Sequence, residues 1–161
     1  MQNVVKLLLI CFSLIFAPFA NAQELQTTAA PKIHIIFFGG NDCLNCVQWR
    51  RFDLTKLEGT PSFLRHKFTN VVKMFRSPVP AAFFMPNEIR QFKEKLDFAS
   101  NGLQGSPQMA IMVNDEVFDY RFAFYSADEI ELIINAIETN STYPAKRCTK
   151  WLNQWTCAVS H

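Results

Sequence analysis

The run KIHIIFFGGNDCLNC, from Lys32 to Cys46, constrains this chain more than any other stretch. Apolar, β-branched and aromatic residues from Ile33 to Phe38 end on two glycines, followed by Asn41, Asp42 and a pair of cysteines, Cys43 and Cys46. A short apolar run closed by turn residues predicts a buried strand. Asp42 has a good N-cap side chain, so a helix is expected from about Cys43 to Leu57, ending near Gly59. Positions i and i+3 of a helix share one face, and a disulfide needs Cα atoms about 4.4–6.8 Å apart, so this spacing lets a bond open and close with little backbone movement. The reactive form is the thiolate, which unpaired N–H groups and partial positive charge at a helix N-terminus stabilise. Cys43 lies nearer that end and is the candidate nucleophile. Cys46, one turn deeper, is the candidate resolving thiol, and both sulfurs are expected to be exposed at the helix tip. The Asp42 carboxylate opposes thiolate formation at Cys43, so two effects compete there. The pair also fits a structural bond or half of a zinc site, but its place after a strand and a glycine turn favours redox chemistry.

The chain has 161 residues, enough for one domain. Residues 1–22 read as a secretory signal: Lys6, an apolar run from Leu7 to Phe19, then Ala20-Asn21-Ala22. That run is too short and weakly flanked for a good permanent span, and no second stretch is long enough to cross a membrane. Cys11 lies inside it and leaves with the signal. The remaining cysteines, Cys43, Cys46, Cys148 and Cys157, are even in number, as suits an exported protein in an oxidising compartment. The location expected is secreted or periplasmic. A net charge of +2, which falls further without Lys6, points to no nucleic-acid partner.

Residues 23–30 read as a flexible leader, 31–140 as the domain and 141–161 as a C-terminal tail. After the first strand and helix, a helical turn is expected over Phe63–His66 and a strand over Phe68–Phe75. Within that first helix Val47, Leu54 and Leu57 are expected to pack inward. Arg76–Pro86 holds three prolines and no regular period, so it reads as an extended connection in which Phe83, Phe84 and Met85 are taken as core plugs rather than a partner surface. A second helix, to about Ser100, carries Ile89, Phe92 and Leu96 inward and stops at Asn101-Gly102. Gly105-Ser106-Pro107 then leads into an apolar strand, Gln108–Val113, which Asn114-Asp115 turns into a partner over Val117–Phe122. Ser126 and Glu129 form a capping box for a last helix to about Glu138, with Ile130, Ile133, Ile134 and Ile137 at helical spacing. The order β-α-β-α-β-β-α gives an α/β fold: a mixed four-stranded sheet flanked by helices on both faces.

Three features of this order, the strand followed by Cys43-x-x-Cys46, the Gly105-Ser106-Pro107 step before a strand, and the hairpin-plus-helix ending, resemble thioredoxin-fold proteins over about residues 31–140. The resemblance implies a cis peptide before Pro107, packed beside the cysteines, with the Ser106 backbone pairing an extended substrate segment. It also implies protein thiol or disulfide substrates and a separate redox partner, with no metal or dissolved cofactor. The chain departs from the family pattern at three places. Asp42 stands where an aromatic residue is frequent, Phe37 where many thioredoxins bury a carboxylate, and Leu44-Asn45 supply neither proline nor histidine between the cysteines.

In the tail, a Cys148–Cys157 bond requires the chain to turn back, because nine residues of straight helix rise about 13.5 Å, beyond disulfide reach. A structural clamp is the favoured use, with an electron relay to Cys43–Cys46 as the other. His34 and His66 have no ligand-like neighbours and read as structural. The function expected is an exported thiol–disulfide oxidoreductase. Its rival is a redox-silent binding module in which Cys43–Cys46 is a fixed staple.

Overall fold

The computed structural model describes residues 29–142, 149–151 and 154–156. The expected signal segment, most of the leader, and both Cys148 and Cys157 therefore lie outside the described residues. Strand β1 (Ile33–Gly39) is buried along its whole length and is the centre of the molecule. Its pleat sends Ile36 and Phe38 into one core with Ile89, Phe92, Leu96 and Tyr120. Ile33, Ile35 and Phe37 face the opposite side, among Trp49, Leu57, Ile130, Ile133 and Ile134. A strand that is apolar on both pleats needs cover on both faces, and each face of the sheet is covered by helices.

The first helical run is less regular than its spacing predicts. It comprises α1 (Leu44–Trp49), a π-helical turn over Arg50–Leu54, and α2 (Thr55–Glu58). Cys46, Trp49 and Leu57 face inward, whereas Val47, expected inside, is exposed. Thr60 caps α3 (Pro61–Arg65), its Oγ1 accepting from the Phe63 N–H at 3.3 Å. Strand β2 (Lys67–Val72) follows and ends three residues before the expected Phe75. There the Lys73 N–H still bonds the Gly39 carbonyl at 3.2 Å, but the Ser77 N–H and hydroxyl both close back onto the Met74 carbonyl and turn the chain.

The proline-rich connection contains only one short 3₁₀ turn, Ala82–Phe84. Met85 is buried, but Phe83 and Phe84 are each 70 % exposed, so they are not core plugs. Their two rings lie against each other, with centroids 3.7 Å apart. The single helix expected next is two, α4 (Asn87–Arg90) and α5 (Lys93–Ser100); they bury Ile89, Leu96 and Ala99, and Phe92 is buried between them. Asn101, at φ 48°, ends α5 in the left-handed region. Strands β3 (Gln108–Val113) and β4 (Glu116–Arg121) form a hairpin. Its two turn residues, Asn114 and Asp115, both have positive φ (51° and 65°), the conformation a two-residue hairpin turn requires. Helix α6 (Ala127–Glu138) starts from Ser126 with both halves of its capping box formed.

The sheet order is β2-β1-β3-β4. β1 and β2 are parallel, joined by the helical crossover, while β3 runs antiparallel to both β1 and β4. The result is a mixed four-stranded sheet flanked by helices. In the tail, β5 (Thr149–Trp151) and β6 (Gln154–Thr156) pair antiparallel as a separate ribbon, with Thr149 opposite Thr156. Among the described residues no helix is long and apolar enough to cross a membrane.

Candidate active site

The site forms where β1 hands over to α1. Gly39 is the last residue of β1, and a Cβ there would stand 3.1 Å from Cys46 Cβ, 3.2 Å from its sulfur and 3.3 Å from the Phe124 ring. At Gly40 an added Cβ would lie 2.8 Å from the Lys73 carbonyl oxygen and 2.1 Å from Asp42 Oδ1. The two glycines thus let a strand end, a helix start and the 73–77 loop meet in a space that no side chain could share. Cys43 and Cys46 are joined by a disulfide, with Cα atoms 5.2 Å apart.

The cap differs from its expected form. Cys43 itself is the N-cap: its backbone is extended (φ −109°, ψ 105°), its Sγ accepts the Cys46 N–H at 3.2 Å, and α1 begins at Leu44. Asp42 instead turns away, and both its carboxylate oxygens accept from the Phe75 N–H at 3.1 Å. A thiolate on Cys43 would sit where an N-cap oxygen usually sits, among the orphan donors of the helix, which favours the charged form. Neither sulfur is as exposed as the sequence suggests: Cys43 is 4 % and Cys46 0 % accessible. Both lie beneath the rim of an open cleft of about 980 Å³, and only Cys43 lines it.

Ser106 and Pro107 line the same cleft. The peptide between them is cis. The Ser106 hydroxyl is buried and has no hydrogen-bond partner. Sequence reasoning therefore names four residues, Cys43, Cys46, Ser106 and Pro107, of which three border one cavity and the fourth is bonded to the first.

Sequence reasoning missed Lys73. This lysine is 6 % exposed, and its Nζ donates to the Gly105 carbonyl at 2.5 Å and to the Ser77 carbonyl. Burial pushes its pKa down to about 8, with the Asp42 carboxylate acting in the other direction. Residues 73–77 are thus stitched to Asp42, just before Cys43, and to Gly105, just before Ser106. One short loop spans the two halves of the site. The signal was present in alternation: Thr69 and Val71 are buried, and the same period places Lys73 inward.

Other groups hold the frame. Arg50 Nη2 donates to the Gly40 carbonyl at 3.2 Å and to Asn41 Oδ1 at 2.9 Å, steadying the turn before the cysteines. Trp49 Nε1 donates to the Tyr125 carbonyl at 2.6 Å, and its ring packs on Phe37 and Phe124, with centroids 4.2 and 4.6 Å away. His34 bonds Thr69 Oγ1 at 2.8 Å and His66 bonds Glu138 at 3.0 Å, both away from the cleft lining. Among the described residues no group of three or more His, Cys, Asp or Glu is placed to hold a metal ion.

No family model matches the chain, no curated protein matches it and no solved structure matches it. What the fold and site define is a class by geometry: an α/β domain with an oxidised cysteine pair capping the helix that follows its central strand.

Proposed function

We propose that this chain is an exported thiol–disulfide oxidoreductase of thioredoxin-like fold. The observation that supports it most is the shared cleft, which Cys43 and the cis Ser106–Pro107 peptide both line. The strand order β2-β1-β3-β4, with one parallel and two antiparallel pairings, supports the fold assignment.

In the reducing direction, the Cys43 thiolate attacks a substrate sulfur and the substrate S–S bond breaks, releasing one substrate thiolate. Cys46 then attacks Cys43 Sγ, the mixed disulfide breaks, and the second substrate thiolate leaves. Two electrons have passed to the substrate, and a dithiol donor must restore the pair. In the oxidising direction a substrate thiolate attacks Cys43 Sγ of the disulfide and Cys46 leaves as thiolate. A second substrate thiolate then attacks the substrate sulfur of that mixed disulfide, and Cys43 leaves as thiolate. The Cys46 N–H on Cys43 Sγ stabilises charge there when Cys43 attacks in the reducing direction and when it leaves in this last oxidising step. Ser106 supplies main chain beside it for an extended segment of substrate.

Insulin reduction and peptide-thiol oxidation by the purified mature chain test this reading. Cys43→Ser is expected to lose activity in both assays, and full activity in that variant sinks the role of Cys43. The low exposure of both sulfurs favours a second reading, a binding module with a fixed staple. A reduction potential below about −300 mV would mark such a resistant bond. Export is tested by locating the processed chain and sequencing its new N-terminus, which is expected at Gln23.

The tail pair belongs to the same proposal. The described part of the tail is the β5–β6 ribbon, with Thr149 opposite Thr156. We expect a Cys148–Cys157 clamp; non-reducing peptide mapping should recover the two cysteines in one linked peptide.

A further inference from the structure

The cleft at Cys43 carries an apolar wall and a charge of one sign. Phe52, Phe75, Phe122 and Phe124 contribute to its lining, and Phe52 is 63 % exposed. Leu44, beside Cys43, is 72 % exposed. Apolar surface held open in water around a reactive sulfur gains free energy when a ligand's apolar side chain covers it. The charged residues of the lining are Asp42 and Asp53, with no lysine, arginine or histidine among them. Asp42 accepts from the Phe75 N–H and Asp53 from the Ala127 N–H, so both carboxylates are held in place without an ion-pair partner among the described residues. The cations nearby keep their charge but are not in the lining, and the Asp42 carboxylate acts on Lys73. Lys73 is turned to the Gly105 and Ser77 carbonyls, Arg50 to Gly40 and Asn41, and Arg51 lies over the Phe52 ring, 5.5 Å from its centroid. The buried, unpartnered Ser106 hydroxyl adds a polar atom at the cleft for an incoming amide.

Resting on the oxidoreductase reading above, we propose that this cleft selects polypeptide cysteines flanked by an aromatic and a basic residue, and discriminates against glutathione. Glutathione carries two carboxylates and one ammonium, so it enters with net negative charge and no side chain to cover Phe52 or Phe75. The two lining carboxylates repel it, and the lining itself offers no cation to the glutathione carboxylates. A peptide with an aromatic neighbour to its cysteine covers the apolar wall. Its basic neighbour meets Asp42 or Asp53. In the step that is selected, the peptide thiolate attacks Cys43 Sγ, the Cys43–Cys46 bond breaks, and Cys46 leaves as thiolate. The product is a peptide–Cys43 mixed disulfide, with no outside oxidant required.

The test is the second-order rate of mixed-disulfide formation on the oxidised chain, followed by quenching and intact mass and corrected for each thiol's thiolate fraction. The probes are a Phe-Cys-Lys peptide, a Gly-Cys-Glu peptide, glutathione and dithiothreitol. The Phe-Cys-Lys peptide is expected to react at least tenfold faster than glutathione, with Gly-Cys-Glu near glutathione. Phe52→Ser should lower the Phe-Cys-Lys rate severalfold and leave glutathione unchanged. Asp53→Asn should narrow the gap by raising the glutathione rate, and the gap should shrink with added salt. Equal rates for the three thiols, with dithiothreitol reacting readily, overturn the selectivity alone. A disulfide inert to dithiothreitol as well overturns both the selectivity and the oxidoreductase reading.

Discussion

His34 lies inside the central strand, where a group that ionises near neutrality carries a cost. Burial first, and the nearby Lys67 second, push its pKa down to about 4. The unfolded chain protonates its histidine near the ordinary value of about 6.5, so between these two values the unfolded state binds more protons than the folded one. The contribution of neutral His34 is therefore complete above about pH 6.5 and falls as pH drops toward 4, by at most about 3 kcal/mol. Urea titrations across that range should show the decline, and His34→Leu should flatten it even though Thr69 loses its partner. A slope that persists in the variant would assign it to other groups. Gly40 illustrates a second residue-scale constraint, because it has no room rather than special dihedrals. The Lys73 carbonyl at 2.8 Å from an added Cβ is backbone, so Gly40→Ala should lower stability by about 1–3 kcal/mol, measured by denaturant midpoint.

At the scale of elements, the site depends on the loop over residues 73–77. Asp42 holds it through the Phe75 N–H, and Lys73 carries its grip across to Gly105. Lys73→Met removes the two bonds to carbonyls, leaving the Gly105 carbonyl with Gln108 Nε2 and the Ser77 carbonyl with the Gly105 N–H. We expect the variant to fold, to keep the Cys43–Cys46 bond, and to raise the KM for a polypeptide disulfide severalfold while kcat changes less. Lys73→Arg should recover part of the loss. Equal losses in kcat and KM, with no rescue, would mean that the lysine supports the fold generally and not the Gly105–Pro107 approach. The helical run after the cysteines is also an element-scale matter. Its π-helical turn buries no residue, and it carries Phe52 to the cleft while Asp53 reaches the start of α6.

Across the whole molecule, one sheet divides two cores that share β1. Ile134 and Leu96, both fully buried, belong to opposite faces. Replacing either by Ala should cost about 2–5 kcal/mol. Far-ultraviolet circular dichroism and tryptophan fluorescence should still report one coincident transition, as expected of a single cooperative domain. Separate transitions for the two variants would show that the faces unfold independently.

Local signals carried much of this molecule into view. The strand from Ile33, the Asn114-Asp115 turn, the Ser126–Glu129 box and the Asn101 stop are each written within a few residues, because dihedral preference and capping act over that range. The same short-range chemistry paired Cys43 with Cys46, which are bonded. Other outcomes depended on what the chain meets at a distance. Asp42 leaves the cap because the Phe75 N–H, 33 residues away, needs an acceptor. Lys73 is buried because two carbonyls from separate loops converge on its ammonium, and Phe83 and Phe84 stay in water because Met85 takes the place in the core. Hydrogen-bond satisfaction and close packing between distant segments settle such choices, and neither can be read one residue at a time.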